Sequence, residues 1–132
     1  MPADMPGRGR TGAAPGAALL AALLACTRPP PEDPEVVAAA IWAERCANCH
    51  GPEGRGDGPG GAALFPPPRS FHDLEWQAHA SDADIRAAIL YGGPAVGRSA
   101  GMVPNPDLRD RPAVVAALVR MVRGWRSAPS GD

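Results

Sequence analysis

The sequence predicts an all-α fold of three main helices joined by Gly- and Pro-rich loops, and three observations carry that prediction. Apolar residues recur at helical spacing in segments that begin near residues 34, 81 and 112. The stretches between them are punctuated by Gly and Pro, of which the chain holds 16 and 17, and regular structure does not run through such punctuation. Aromatic residues make up only 5% of the chain and no plausible strand flanks residues 46–50, so a few helices must pack on something other than a large side-chain core. The 132 residues amount to about one domain. A net charge of −1 gives no argument for nucleic acid, and the basic residues are all Arg, which is a bias of composition and not a functional signal.

The chain opens with Arg8 and Arg10, followed by an apolar run from Ala13 to Ala25. That is the layout of an export signal, and residues 1–25 are assigned to one. Its uninterrupted part, Ala17 to Ala25, is too short to cross a bilayer, which takes about 20 apolar residues. Cys26 follows at once, and a lone exported thiol would be an oxidation hazard unless it were modified. Residues 26–33 read as a linker. The run T-R-P-P-P-E-D-P from Thr27 to Pro34 favours polyproline II, a stiff spacer of about 25 Å at about 3.1 Å per residue.

The first helix has Asp33 as its N-cap, Pro34 at the first helical position and Glu35 in the positive first turn. Val36, Val37, Ala40 and Ile41 are expected on its apolar side, with Glu44 and Arg45 toward the other. It leads into Cys46-Ala47-Asn48-Cys49-His50, where two thiols at i and i+3 and an imidazole at i+4 emerge on one side of a helical turn. Such an arrangement suits a covalently held haem. Each thiol can form a thioether with one vinyl group while the adjoining His reaches the iron. The rival reading is a thiol-exchange or metal-binding module. A structural zinc site wants four ligands, yet no second C-x-x-C or H-x-x-x-H follows, and a redox dithiol wants a βαβ setting that the flanks do not offer.

Gly51 to Gly61 is a glycine-punctuated loop, and without a preceding strand or a following G-K-[ST] it is not a phosphate loop. Pro66, Pro67 and Pro68 come next, with Phe71 and Trp76 read as pocket or core filler. Ser81 with Asp84 forms a capping-box-like start to the second helix, which places Ile85, Ala88 and Ile89 on one face and stops at Gly92-Gly93-Pro94. Ala95 to Arg109 is loop and holds Met102. The last helix begins near Pro112 with a stripe of Val114, Leu118, Met121, Val122 and Trp125, and Arg120, Arg123 and Arg126 fall near its negative end. Met121 inside that stripe reads as core packing. Residues 128–132 are expected to form a disordered tail, and no repeat or second domain is visible.

The haem motif extended to C-H-G-x-x-G-x-G-D-G-P, the capped middle helix and the final helix together resemble the class I cytochrome c family, and Leu23-Leu24-Ala25-Cys26 resembles a bacterial lipoprotein signal. The resemblance implies a small cytochrome c fold over residues 34–127, three helices and loops wrapped around one haem c bound through Cys46 and Cys49. It implies His50 and Met102 as axial ligands, ahead of His72 and His79, and a Pro67 or Pro68 carbonyl accepting from His50 Nδ1–H. It implies that the glycine loop passes close to the flat ring, and that Ile41 or Trp42 sits near an aromatic contact with the last helix. Cys26 would carry lipid, anchoring an exported, periplasmic protein to a membrane. The implied function is single-electron transfer between redox partner proteins, not an enzyme in its own right, alone or as a subunit of a respiratory oxidoreductase complex. A haem-based sensor or gas-binding protein is the rival within the same motif. One departure is Val103, which separates Met102 from Pro104 where the family often has Met-Pro.

Overall fold

In the computed structural model, which describes residues 31–127, every regular element is helical. The export signal at 1–25, Cys26 with the linker up to residue 30, and the tail at 128–132 lie outside the described residues. Helix α1 (Pro34–Ile41) starts as its sequence directs: the Asp33 carboxylate accepts from the Glu35 N–H at 2.9 Å, and Pro34 occupies the first turn. It then runs through a π-helical turn (Trp42–Cys46), closed by the Ala47 N–H donating to the Trp42 carbonyl, into α2 (Ala47–His50). Single π turns of this kind occur often at functional sites.

The buried face of α1 differs from the expected stripe. Ala38, Ile41 and Trp42 are buried, whereas Val36 and Ala40 face solvent. With three consecutive alanines the apolar contrast between faces is weak, so the face is decided by where the large Trp42 can be covered. Its partner is α5 (Pro112–Gly124), which buries Val114, Val115, Ala117, Leu118, Val119 and Val122 against α1 and the rest of the core. Ala38 and Ala117 are completely buried, and such small side chains let packed helices approach closely. Trp42 meets Trp125, just past the end of α5, with ring centroids 4.7 Å apart.

Between these elements lie α3 (Leu74–His79) and α4 (Asp82–Tyr91). The latter carries the full capping box, with Asp84 N–H donating to Ser81 Oγ at 3.1 Å and Ser81 N–H to Asp84 Oδ2 at 2.9 Å; the Ser81 hydroxyl, donating to Asp84 Oδ2 at 2.7 Å, and then the Ser81 N–H hold the Asp84 carboxyl below the usual range. It ends at Gly92, whose φ of +83° suits glycine. Helix α3 is not expected from the sequence pattern. It is only six residues long, too short to display a period, and its existence rests on the Asp73 cap, which accepts from the Trp76 N–H at 3.0 Å, and on tertiary ties.

The principal tie is Gln77, the one polar side chain buried with the core among the described residues. Its Nε2 donates to the carbonyls of Phe71 at 2.8 Å and Val122 at 2.9 Å, while its Oε1 accepts from Arg123 at 2.8 Å. Arg123 also donates to the Gln77 and Ala80 carbonyls at the end of α3 and pairs with Asp82, so it caps its neighbour instead of only its own helix. Every polar group of the Gln77 amide is thereby used, and removing it strands buried carbonyls. Gln77→Leu is expected to cost about 2 kcal/mol, read as a lower denaturant midpoint of the haem-loaded protein at an unchanged slope.

Candidate haem site

A cavity of about 630 Å³ opens between α1, α4, the Pro66–Pro68 stretch and the loop at 95–105, within the range of ligand sites. Cys46, Cys49, His50 and Met102 all line it. Both thiols are free and half-buried. Met121 does not face this cavity and lines a separate groove between α1 and α5. Of the other histidines, His79 lines the cavity and His72 does not. His72 Nε2 is held by the Glu53 carbonyl at 2.8 Å, and His79 Nδ1 lies 2.8 Å from the Glu75 carbonyl one turn earlier.

Burial pushes the Cys46 thiol up to about 11, with Arg45 pulling the other way and Cys49 adding a smaller upward push. It is therefore neutral at pH 7. Among the described residues, no three His, Cys, Asp or Glu side chains cluster as a metal site. The His50 imidazole is shifted below its ordinary range, chiefly by burial, with the backbone of Arg69 acting in the opposite direction. Neutral imidazole is the form that ligates a metal.

His50 is held by its neighbours' rings. It stacks on Phe71 with centroids 4.9 Å apart and planes 20° apart, and Trp42 stands 5.8 Å away. Its Nδ1 is buried and has no hydrogen-bond partner. The Pro67 or Pro68 carbonyl expected there does not fill that role. The nearby backbone belongs to Arg69, and it stops short of a well-formed bond. The Pro68 carbonyl instead lies over Gly56, where an added Cβ would sit 2.7 Å from its oxygen. A buried donor without an acceptor is a costly arrangement outside a functional site.

The glycine loop also serves differently from expectation. Gly51 to Gly61 do not line the cavity, whose wall there is built by the three prolines. The loop instead folds onto the cysteine-bearing helix and accepts its unpaired end: Gly51, Gly56 and Gly58 donate N–H bonds to the carbonyls of Ala47 (2.9 Å), His50 (2.8 Å) and Cys49 (3.2 Å). Gly58 has an ordinary φ of −66°, yet a Cβ there would meet the Asn48 and Ala47 carbonyl oxygens at 2.4 and 2.7 Å. Close backbone approach, not backbone conformation, demands glycine at that position.

Two free thiols and a ring-stacked neutral imidazole, on one helix end beside a large apolar cavity, define a covalent-haem domain. A family model described as Cytochrome c matches residues 37–119, more than half of the chain, and the chain belongs to that family. No curated protein and no solved structure matches it. Members carry covalent haem c and pass electrons, so this chain is a haem c electron carrier. When bound, the haem supplies the one-electron couple; the protein supplies its attachment, its His-side wall and its exclusion from water.

The role of Gly58 is open to a direct check. Gly58→Ala drives a methyl group into two backbone oxygens, and it should cost about 1–3 kcal/mol and reduce the fraction of chain carrying covalent haem. Gly124→Ala, which meets nothing within 4 Å, should leave both readings at or above the parent value.

Proposed function

We propose that the chain is an exported, lipid-anchored electron carrier in which Cys46 and Cys49 hold one haem c and His50 and Met102 are its axial ligands. The observation that carries this reading is the common cavity: Cys46, Cys49, His50 and Met102 face it, and Met121 and His72 do not. Val103, the residue between Met102 and Pro104, is 67% exposed and also borders the cavity, so the additional residue is accommodated at the surface with Met102 still on the cavity wall. A thioether on iron favours the reduced state relative to two imidazoles, and a filled sixth position suits a carrier better than a gas sensor. His79 is the competing ligand: its Nδ1 is engaged one turn back along α3, which leaves its Nε2 for iron.

The anchor rests on the sequence alone. Arg8, Arg10, the apolar run to Ala25 and Cys26 directly after it support export and lipidation, and the proline-rich linker supports a domain held off a membrane in the periplasm. No helix among the described residues is long and apolar enough to cross a membrane. The partners are a donor and an acceptor protein, whether the domain works alone or within a respiratory complex.

Two measurements test this reading. Denaturing mass spectrometry of protein made with haem-maturation machinery should show one haem added to the parent and none to the Cys46→Ala, Cys49→Ala double variant. The oxidised parent should show the weak near-infrared band of sulfur-to-iron ligation. Met102→Ala should abolish the band and lower the reduction potential; a parent lacking it would give the sixth position to His79. For the anchor, Cys26→Ala should move the protein from the membrane to the soluble exported fraction, and a parent already soluble there would end the lipid proposal.

A further inference from the structure

We infer that Phe71 is a positioning residue for the iron-ligating imidazole: its ring, and not a hydrogen bond, sets the plane in which His50 stands. This role rests on the haem c reading above, in which His50 is an axial ligand. The His50 backbone is already fixed, since its carbonyl accepts from the Gly56 N–H at 2.8 Å. The imidazole is therefore left with the two torsions of its own side chain. In a metal-bound histidine the second torsion is ordinarily fixed by a carbonyl or carboxylate that accepts from the other ring nitrogen. Here that nitrogen, Nδ1, is buried and has no partner.

What stands against the imidazole instead is another flat ring. The His50 ring lies 20° from the plane of Phe71 at a centroid distance of 4.9 Å, and 42° from that of Trp42 at 5.8 Å. Phe71 and Trp42 themselves stand 63° apart, so the imidazole sits in a wedge and takes its tilt from Phe71. Turning it about Cβ–Cγ would drive one edge toward the Phe71 face and give up the stacked arrangement that aromatic pairs prefer.

A ring can set a plane only if it does not move, and Phe71 is anchored through both backbone and side chain. Its N–H donates to the Gly54 carbonyl at 2.8 Å, and its carbonyl accepts from the buried Gln77 Nε2 at 2.8 Å. Its ring is 8% exposed, lies 10° from the plane of Trp125 at 6.0 Å and meets Trp76 at 5.2 Å. Gln77 is bonded in turn to the Val122 carbonyl on α5. The direction of the imidazole is thereby referred to the helix core, and not to the loop beside it. For an electron carrier, a ligand locked by packing keeps one orientation in both oxidation states, so little rearrangement accompanies each transfer.

The test uses the full-length haem-loaded protein. Its readout is the spread of the four haem-methyl proton resonances in the oxidised form, which follows the direction of the axial imidazole plane. Phe71→Leu keeps an apolar side chain but removes the flat face, so the spread should narrow as the imidazole samples several planes. Phe71→Tyr, which retains the face, should keep the parent spread. Val119→Ala truncates a buried residue that does not line the cavity, and it should lower the denaturant midpoint while leaving the spread unchanged. In the reduced parent, the His50 Nδ1–H should resonate where an imidazole N–H without an acceptor does. A spread that survives Phe71→Leu, or that Phe71→Tyr or Val119→Ala narrows as much, would overturn the role of Phe71. So would a reduced-parent Nδ1–H shifted far downfield by an acceptor. A parent that gains no haem mass would instead overturn the haem c reading beneath it.

Discussion

The structure depends on the burial of one indole. Trp42 sits where α1 gives way to its π-helical turn, and its ring stands 4.7 Å from Trp125, 6.0 Å from Phe71 and 5.8 Å from His50. Its Nε1–H donates to the Pro52 carbonyl at 3.2 Å, satisfying the polar end of a ring that is otherwise enclosed. The helix crossing, the glycine loop and the imidazole are thus all referred to the same side chain. Truncating a core aromatic costs about 3–5 kcal/mol, a large share of what a domain of this size has. Gly54 belongs to the same junction: its φ is +68°, and a Cβ on it would sit 2.6 Å from the Trp125 ring. The loop can cross the aromatic cluster only as bare backbone.

How much of this was legible in the sequence follows from the range of each interaction. The Asp33 cap, the Ser81–Asp84 box, the start of the last helix at Pro112 and the thiol-imidazole spacing are local, and each stands where its residues imply. The four residues singled out from the sequence, Cys46, Cys49, His50 and Met102, face one cavity. What depends on distant partners was not legible. Gln77 looks like any surface glutamine on a short segment, since the groups it satisfies are 6 and 45 residues away. The buried face of α1 was half legible, with Val37 and Ile41 on the core side and Val36 and Ala40 exposed, because alanine spacing does not reveal which side Trp125 will cover. The polar partner of His50 was misplaced because the Pro68 carbonyl, although local, is turned toward Gly56 by a loop that also crosses the cysteine helix.

Charge has a smaller part in holding the fold than its abundance suggests. The bridges Arg45–Asp107, Arg55–Glu53 and Arg120–Glu35 are largely exposed, and pairs of that kind contribute about 0–1 kcal/mol each. Arg123 differs because it is only 22% exposed and spends its donors on the carbonyl end of α3. It therefore works with Gln77 as a polar clamp between α3 and α5. That clamp supports Trp76 and His79 on the cavity wall, and Trp76 is tied to the helix crossing as well through Phe71, 5.2 Å away.

The two sides of the cavity are consequently built to different standards. On the His50 side, stacked rings, a satisfied helix end and the α1–α5 crossing overlap, so no single backbone bond decides the position of the imidazole. The Met102 loop is held mainly by backbone: Gly93 N–H donates to the Met102 carbonyl at 2.9 Å, Arg98 N–H to the Gly93 carbonyl at 2.8 Å, and Asn105 secures the loop's end through two bonds to the Ile89 carbonyl at 2.9 and 3.2 Å. Gly92 makes the first of these possible, since its φ is +83° and a Cβ would lie 2.7 Å from the Met102 oxygen. Few buried apolar contacts reinforce these bonds, and segments of that kind open at lower free energy than the core. A covalent attachment on the rigid side lets the opposite loop be that light, because the cofactor stays with the chain whether or not that loop closes on it.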